Sequence, residues 1–199
     1  DLKSIIVNAH NEKRNWIAGG GDENHKPACR MATMQWDDEL AYIASLNVRQ
    51  CSMRHDMCRN TGSFKYSGQN LAWRGFFGVA NHTDMLTKTV NLWYSEVKHS
   101  KMSYINKFPR LYKGPAIGHF TVMVADRNIR IGCAAATYSV MGKPYKSYLV
   151  ACNYATTNVI DHPIYESCPV AGLHCTTGRN PLYPNLCSMY EKYAVNKWF

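Results

Sequence analysis

The sequence predicts an α+β sandwich in which helices cover a short sheet. Three segments with apolar residues at helical spacing come first, and three strand-like segments follow them. Beyond residue 155 the chain becomes rich in proline and cysteine and loses its periodicity. Together these observations favour helices packed on a sheet, followed by a loop-rich extension.

Helical periodicity predicts three helices, at 1–18, 37–51 and from Thr83 or Asp84 to about Lys98. Glycines at 19–21 end the first helix, and Asp37 or Asp38 caps the second. We expect irregular structure in the two long connections, 52–82 and 100–117.

Strand-like patterns predict three strands, at 119–125, 129–138 and 146–154. In the first, Phe120, Val122 and Val124 alternate with polar or flexible side chains, beginning at His119. The other two form an antiparallel hairpin in which Cys133 and Cys152 could be cross-linked.

Two units follow from this pattern, a domain at 1–160 and an extension at 161–199. The extension is too small to be held by its own apolar core, so we expect disulfides to staple it.

The eight cysteines are an even set without a C-x-x-C pair, which indicates disulfides and an oxidising, extracellular location. Asn81-His82-Thr83 is an N-x-T sequon, so Asn81 is the predicted glycosylation site. No apolar run is long enough for a membrane span. The opening residues lack the apolar core of a signal peptide, so we expect a mature or trimmed chain.

The net charge of +9 is scattered, with no run of lysine and arginine. This pattern favours a solvated basic surface, and we expect a monomer with no nucleic-acid partner. An anionic polysaccharide stays open as a partner of the basic surface.

Five short motifs resemble the CAP superfamily, the secreted group that includes cysteine-rich secretory proteins, antigen-5 and plant pathogenesis-related proteins. They occur in the family's order, as Ala9-His10-Asn11-Glu12-Lys13-Arg14, Gly68-Gln69-Asn70-Leu71, Trp93-Tyr94-Ser95-Glu96, Gly118-His119-Phe120-Thr121 and Tyr148-Leu149-Val150-Ala151-Cys152-Asn153-Tyr154. The segment from Cys51 to Arg59 and the tail from Cys175 to Ser188 resemble the insect antigen-5 branch, and the tail is similar to that of fly antigen-5 proteins. The resemblance implies a salivary origin.

The resemblance implies a three-layer α-β-α sandwich with a short antiparallel sheet. It also implies a central cleft with four functional residues, His55, Gln69, Glu96 and His119. Neutral imidazoles can hold Zn²⁺ or Cu²⁺ in an open site, so His55 and His119 are the candidate metal ligands. Glu96, predicted on the third helix, could accept a hydrogen bond from an imidazole and fix its tautomer. The alternative for both histidines is structural hydrogen bonding, and for His10 we favour helix capping or a fold contact.

Three departures from the family pattern bear on function. Gln69 stands where many relatives have glutamate, which disfavours glycosidase-type chemistry with two carboxylates. Val122 and Ala125 replace a glutamine and a tryptophan and alter the strand's packing. After Tyr154 the second signature is one residue shorter than usual.

Disulfide pairing is implied only in part. The resemblance implies Cys133–Cys152 and Cys175–Cys187. In antigen-5 relatives the positions of Cys51 and Cys58 pair with cysteines in an N-terminal extension that is not in this sequence. Cys29 and Cys168 look like additions to the fly pattern, which favours their pairing with each other and leaves Cys51 and Cys58 to pair locally or with a lost segment.

Our first functional hypothesis is a secreted, non-enzymatic binding protein. It would sequester a small hydrophobic ligand, a lipid or eicosanoid, or block a host haemostatic or immune factor, and no cofactor would be required. The first and third helices could line the ligand channel. The alternatives are a Zn- or Cu-dependent enzyme or redox protein that uses His55, His119 and Glu96, and a module that binds host protein or glycosaminoglycan through its basic surface.

Overall fold

A four-stranded sheet lies between two layers of helices in the structure, a computed structural model that describes all 199 residues. Its strands, in the spatial order β1-β3-β4-β2, are β1 (Gln35–Trp36), β2 (Gly68–Phe76), β3 (Arg130–Ser139) and β4 (Lys146–Tyr154). β2, β3 and β4 pair antiparallel, and the two-residue β1 adds to β3 in parallel. The three-layer α+β sandwich is confirmed.

Five α-helices and one 3₁₀ helix surround the sheet. They are α1 (Leu2–Ala18), α2 (Asp38–Val48), α3 (His82–Tyr94), the 3₁₀ helix (Ser95–His99), α4 (Met102–Asn106) and α5 (Gly118–Val124). Side-chain oxygens of Asp1, Asp37 and Asn81 accept backbone N–H groups in the first turns of α1, α2 and α3. These caps satisfy donors that the helices cannot pair internally, and they explain why the helices begin there.

The two helical layers differ in size. α1, α3 and α5 share the larger apolar cluster with one face of the sheet, around residues such as Trp93 and Phe120. α2 covers the other face alone and packs Ala44 and Val48 on a smaller cluster. Gly132 makes this packing possible, because a Cβ there would lie 2.1 Å from the backbone nitrogen of Ala41.

Three polar side chains of the motif in α1, Ala9 to Arg14, are buried and hydrogen-bonded. His10, Asn11 and Arg14 are each at most 2% exposed. Asn11 exchanges hydrogen bonds with the backbone of Met34, and Arg14 donates to four main-chain carbonyls, those of Ala32, Met123, Ala125 and Asp126. This motif therefore fixes the chain on both sides of α1, and His10 makes a fold contact.

The predicted strand at 119–125 is wrong, because Gly118–Val124 forms the helix α5. Alternation failed as a signal here because Phe120 to Val124 are all at most 2% exposed, so there is no polar face. A continuous buried run fits a short helix as well as a strand. The hydrogen bond from the Thr121 amide to the Ile117 carbonyl (3.0 Å) starts the helical turn.

The connection 52–82 is only partly irregular, since it contains β2, which the sequence prediction missed. β2 has two glycines and no β-branched residue among its nine positions, and its first five residues are all buried. The predicted third helix ends earlier, at Tyr94, and Glu96 lies in the 3₁₀ helix. The connection 100–117 contains α4.

Beyond Tyr154 the chain has no helix or strand, and one disulfide joins it to the body. The structure has Cys133–Cys152 within the hairpin, Cys175–Cys187 within the extension and Cys29–Cys168 between extension and body. Cys51 and Cys58 are exposed and unpaired. The division at residue 160 stays a prediction.

Candidate functional site

Three of the four predicted cleft residues, His55, Gln69 and His119, line one polar cavity of about 280 Å³, which we call the histidine cavity. His55 comes from the loop after α2, Gln69 from β2 and His119 from the start of α5. The cavity is lined by His55, Arg59, Gln69, Asn70, Ala116, Gly118, His119, Val122, Thr157 and Asn158.

His119 is held by Glu96 from behind the cavity wall. Nδ1 of His119 donates to Oε1 of Glu96 at 2.6 Å, and the other carboxylate oxygen accepts the amide of Phe120 at 3.0 Å. The Trp93 ring stacks on His119, with an interplanar angle of 9°. Because the carboxylate holds the proton on Nδ1, Nε2 keeps its lone pair.

His55 is held in a different way, through Gln69. Nδ1 of His55 lies 2.9 Å from Oε1 of Gln69, while Nε2 of the same amide donates to Asp56 Oδ2 and Asn153 Oδ1, each at 2.8 Å. The carboxylate of Asp56 can only accept, so the amide NH₂ must face it and its oxygen must face His55. His55 therefore also carries its proton on Nδ1 and leaves Nε2 free.

This arrangement offers two unprotonated imidazole nitrogens at one cavity. Their donor chemistry fits Zn²⁺ or Cu²⁺, with the remaining coordination positions open. His55 and His119 do not belong to any group of three His, Cys, Asp or Glu residues whose ligand atoms lie within 4.8 Å of one another. The one such group is Cys29, Cys168 and His174, and its two cysteines form a disulfide. No aspartate or glutamate lines the cavity, because Glu96 and Asp56 stand behind the histidines.

The sequence analysis missed two charged residues at this site. Asp56 supplies a carboxylate next to Gln69, whose amide donates a hydrogen bond to it. Arg59 lines the cavity and donates to the carbonyls of Asp56 and Ser67 at 2.8 and 3.0 Å. Burial lowers the pKa of the Arg59 guanidinium. Asp56 follows His55 directly, and this adjacency was the signal that could have pointed to it.

An apolar cavity of about 300 Å³, the helix cavity, opens between α1, α3 and the sheet. It is lined by Leu2, Lys3, Ile6, Trp36, His82, Leu86, Cys133, Ala134, Ala135 and Tyr148. At its edge, Nδ1 of His82 lies 2.8 Å from the Tyr148 hydroxyl. Lys3 reaches Asp38 at 2.9 Å, and both of these side chains are more than half exposed.

Another cavity, about 560 Å³, lies between α1 and the extension, and we call it the extension groove. Its walls include Val7, Met34, Leu182 and Tyr183. Lys3 and Trp36 line both this groove and the helix cavity. The sequence analysis expected a channel between helices and did not foresee the groove, because the extension has no periodicity from which its packing could be inferred.

Asn81, the predicted glycosylation site, is exposed and caps α3. The structure is compatible with a glycan on its side-chain nitrogen, since the cap uses only the oxygen. None of the helices combines the length and apolar character that crossing a bilayer requires.

Comparison with known proteins gives one family. A model described as CAP, the cysteine-rich secretory protein family, matches residues 7–154. Venom allergen-1 of Aedes albopictus is 45% identical over 192 residues, which cover 96% of this chain and 74% of that protein. The antigen 5 like allergen Cul n 1 of Culicoides nubeculosus is 43% identical over 138 residues, 69% of this chain and 62% of that protein.

Among solved structures, the crystal structure of NaASP2 with Zn²⁺ superposes with a TM-score of 0.77. The match covers 94% of this chain and 95% of that one at 22% identity, which is a likeness of fold.

Proposed function

The chain belongs to the CAP family of cysteine-rich secretory proteins and resembles its insect venom-allergen and antigen-5 members, and on that basis we propose a secreted, non-enzymatic binding protein. Its ligand is a small hydrophobic molecule of the lipid or eicosanoid class. The helix cavity carries this proposal, since it is an apolar recess between the two helices that the sequence suggested.

The walls of the helix cavity suit an aliphatic chain. Leu2 and Ile6 of α1 face Leu86 of α3, and the floor is a stretch of β3 with small side chains. Its volume is at the lower end of the range for ligand pockets, about 300–1,000 Å³. A longer ligand could continue past Lys3 and Trp36 into the extension groove, since these two residues border both spaces.

Lys3 suits a ligand with a carboxylate head group. Its ammonium contacts Asp38 at 2.9 Å, with the two side chains 53% and 81% exposed. Such an exposed ion pair contributes little to stability, so a ligand carboxylate can replace Asp38 at little cost.

Two measurements test the proposal. Organic extraction of the purified protein followed by mass spectrometry should recover a lipid, and calorimetry should detect oleate binding to the stripped protein. Lys3→Gln should weaken oleate binding by about fivefold and leave binding of the matching fatty alcohol unchanged. Lys98→Gln is the matched control. Absence of both extracted lipid and oleate binding would contradict the proposal.

The positions of the carboxylates around the histidine cavity support a non-enzymatic action. Acid–base catalysis of the two-carboxylate kind needs carboxylates directed at a substrate, whereas Glu96 and Asp56 are occupied behind the histidines.

A divalent metal at the histidine cavity is a second candidate, favoured by the two free Nε2 atoms. His55 and His119 would hold the ion, with Gln69 and Glu96 fixing their orientation. A bound ion would supply Lewis-acid character at the cavity. Titration of Zn²⁺ into chelator-treated protein should show binding that His55→Ala and His119→Ala each abolish, while His99→Ala leaves it intact. Equal affinity in all four proteins would refute this candidate.

A further inference from the structure

One end of the sheet carries a group of exposed apolar side chains in two loops. Phe77 is 73% exposed and Val79 is 96% exposed, in the loop after β2. Val140 is 43% exposed and Met141 fully exposed, in the turn between β3 and β4. Folding leaves these side chains in water, and a cluster of this kind usually marks an interaction site.

The strand register places both loops at the same end of the sheet. Lys146 opens β4 and pairs with Phe76, the last residue of β2, on one side and with Ser139, the last residue of β3, on the other. Phe77 and Val140 therefore follow the ends of β2 and β3, the two strands on either side of β4. The ammonium of Lys146 also donates to the carbonyl of Gly78 at 3.4 Å, which links the start of β4 to the loop after β2.

The charge around these side chains has one sign. Arg74, Lys143 and Lys146 border the loops, and none of them is in an ion pair. No aspartate or glutamate occurs in 57–83 or in 127–160, so the segments that build this end carry no negative side chain. The first carboxylate after the β2 loop, Asp84, is already paired with Lys88 at 2.7 Å.

We propose that this sheet-end surface, made of Phe77, Val79, Val140 and Met141 with Arg74, Lys143 and Lys146, binds the surface of an anionic phospholipid bilayer. Protruding apolar side chains can enter the headgroup region while the cations meet lipid phosphate and carboxylate groups. Trp73 of β2 and Tyr145, the last residue of the turn between β3 and β4, have ring centroids 5.9 Å apart and suit the interface depth.

A bilayer fits this surface better than a soluble polyanion does. A polyanion such as heparin needs the cations alone, and it gives no role to a phenylalanine, two valines and a methionine standing in solvent. The inference goes beyond the proposed function, because it concerns attachment to lipid headgroups and not sequestration of a lipid in a cavity.

Asn81 lies two residues beyond Val79, so a glycan on it would stand beside the surface. Every protein in the test therefore carries Thr83→Ala, which removes the sequon and keeps the Asn81 cap of α3.

The test measures co-sedimentation with vesicles of phosphatidylcholine alone and of phosphatidylcholine with equimolar phosphatidylserine. The background protein should bind the anionic vesicles and not the neutral ones. Phe77→Ser with Met141→Ser should lower the partition coefficient about tenfold or more, and so should Lys143→Gln with Lys146→Gln. All these side chains are exposed, and equal unfolding temperatures check that the fold is intact.

Matched pairs elsewhere control for hydrophobicity and charge. Leu111→Ser with Leu173→Ser removes side chains that are 85% and 57% exposed, and Lys98→Gln with Lys113→Gln removes the same charge. Both pairs should bind like the background protein. Failure of the background protein to bind anionic vesicles would overturn the proposal. A second contradicting result is normal vesicle binding by the variant with serine at 77 and 141, together with loss of binding to both vesicles and heparin by the variant with glutamine at 143 and 146. That result would indicate a polyanion site.

Discussion

His10 is a fully buried imidazole that joins three parts of the fold. Its Nδ1 donates to the Ile6 carbonyl at 2.8 Å, and its Nε2 accepts from the Tyr154 hydroxyl at 2.9 Å. That hydroxyl also accepts from Asn70, whose amide reaches the carbonyl of His119. A histidine of α1 thus stabilises the strand and helix that carry the histidine cavity.

Burial lowers the pKa of His10 from 6.5 to about 4, since the charged imidazolium would lose its hydration. The unfolded chain therefore takes up a proton at a higher pH than the folded chain does. The stability due to the neutral His10 is fully present above pH 6.5 and is lost as the pH falls from 6.5 towards 4.

We expect the free energy of unfolding to fall by roughly 2–3 kcal/mol between about pH 7 and about pH 4.5 because of this one group. Urea unfolding at both pH values measures it. His10→Gln lowers stability at neutral pH but should remove this part of the pH dependence. The same decline in wild type and variant would show that another group is responsible.

At the scale of elements, Glu191 anchors the extension. Its buried carboxylate accepts from Arg30 at 2.8 Å, from the amides of Thr176 and Thr177 and from both threonine hydroxyls. Burial alone would raise the pKa of this carboxyl. The hydrogen bonds from Thr177, Thr176 and Arg30 outweigh burial and lower the pKa from 4.5 to about 2.

Glu191→Gln should cost about 2 kcal/mol of unfolding free energy at neutral pH, because the amide leaves buried donors without an acceptor. A folded-state pKa below the ordinary value means that the carboxylate stabilises above pH 4.5 and loses this effect as the pH falls towards 2. The gap between wild type and variant should therefore narrow in that range. Glu166→Gln, at an exposed glutamate of the extension, is the control and should leave stability unchanged.

The Cys29–Cys168 disulfide closes a span of 139 residues, against 19 for Cys133–Cys152. A crosslink over a longer loop restricts the unfolded chain more. Replacing both Cys29 and Cys168 by alanine should therefore cost roughly 1–2 kcal/mol more than the same change at Cys133 and Cys152. Denaturant unfolding of the two double variants measures this difference. An equal loss of unfolding free energy in both, or a larger loss at Cys133 and Cys152, would contradict this entropic account.

Contrast between buried and exposed positions was one signal in the sequence but not the only one. β4 was predicted as the second strand of a hairpin although it is buried at every position after the first. α1 and β3 match their predicted spans within a residue, because each shows such contrast. Gly118–Val124 has none, so its helix is decided by the Asn158 and Glu96 contacts at its start, which no local pattern records. β2 was missed because its pairing with β4, and not its own residue types, makes it a strand.

At the scale of the molecule, the candidate site could be predicted only as far as motifs reach. His55 and His119 came from short signatures, and the structure brings them to one cavity. Asp56 acts through Gln69, and the sequence does not state that contact. The extension groove depends on how an irregular segment folds back over α1, so no periodicity could have predicted it.

The central claim is that the helix cavity takes an apolar ligand, and its floor allows a direct test. Ala135 lines the cavity from β3, whereas Thr137, two residues further on the same strand and face, lies outside it. Both side chains are exposed, so a larger residue should fit at either position.

The decisive measurement is the affinity for oleate of Ala135→Phe and Thr137→Phe beside the wild type. We predict that phenylalanine at 135 fills the cavity and weakens binding at least about tenfold, since the chain loses apolar burial worth roughly 1.4 kcal/mol or more. Thr137→Phe should bind like the wild type. Oleate binding that is unchanged by Ala135→Phe would contradict the account.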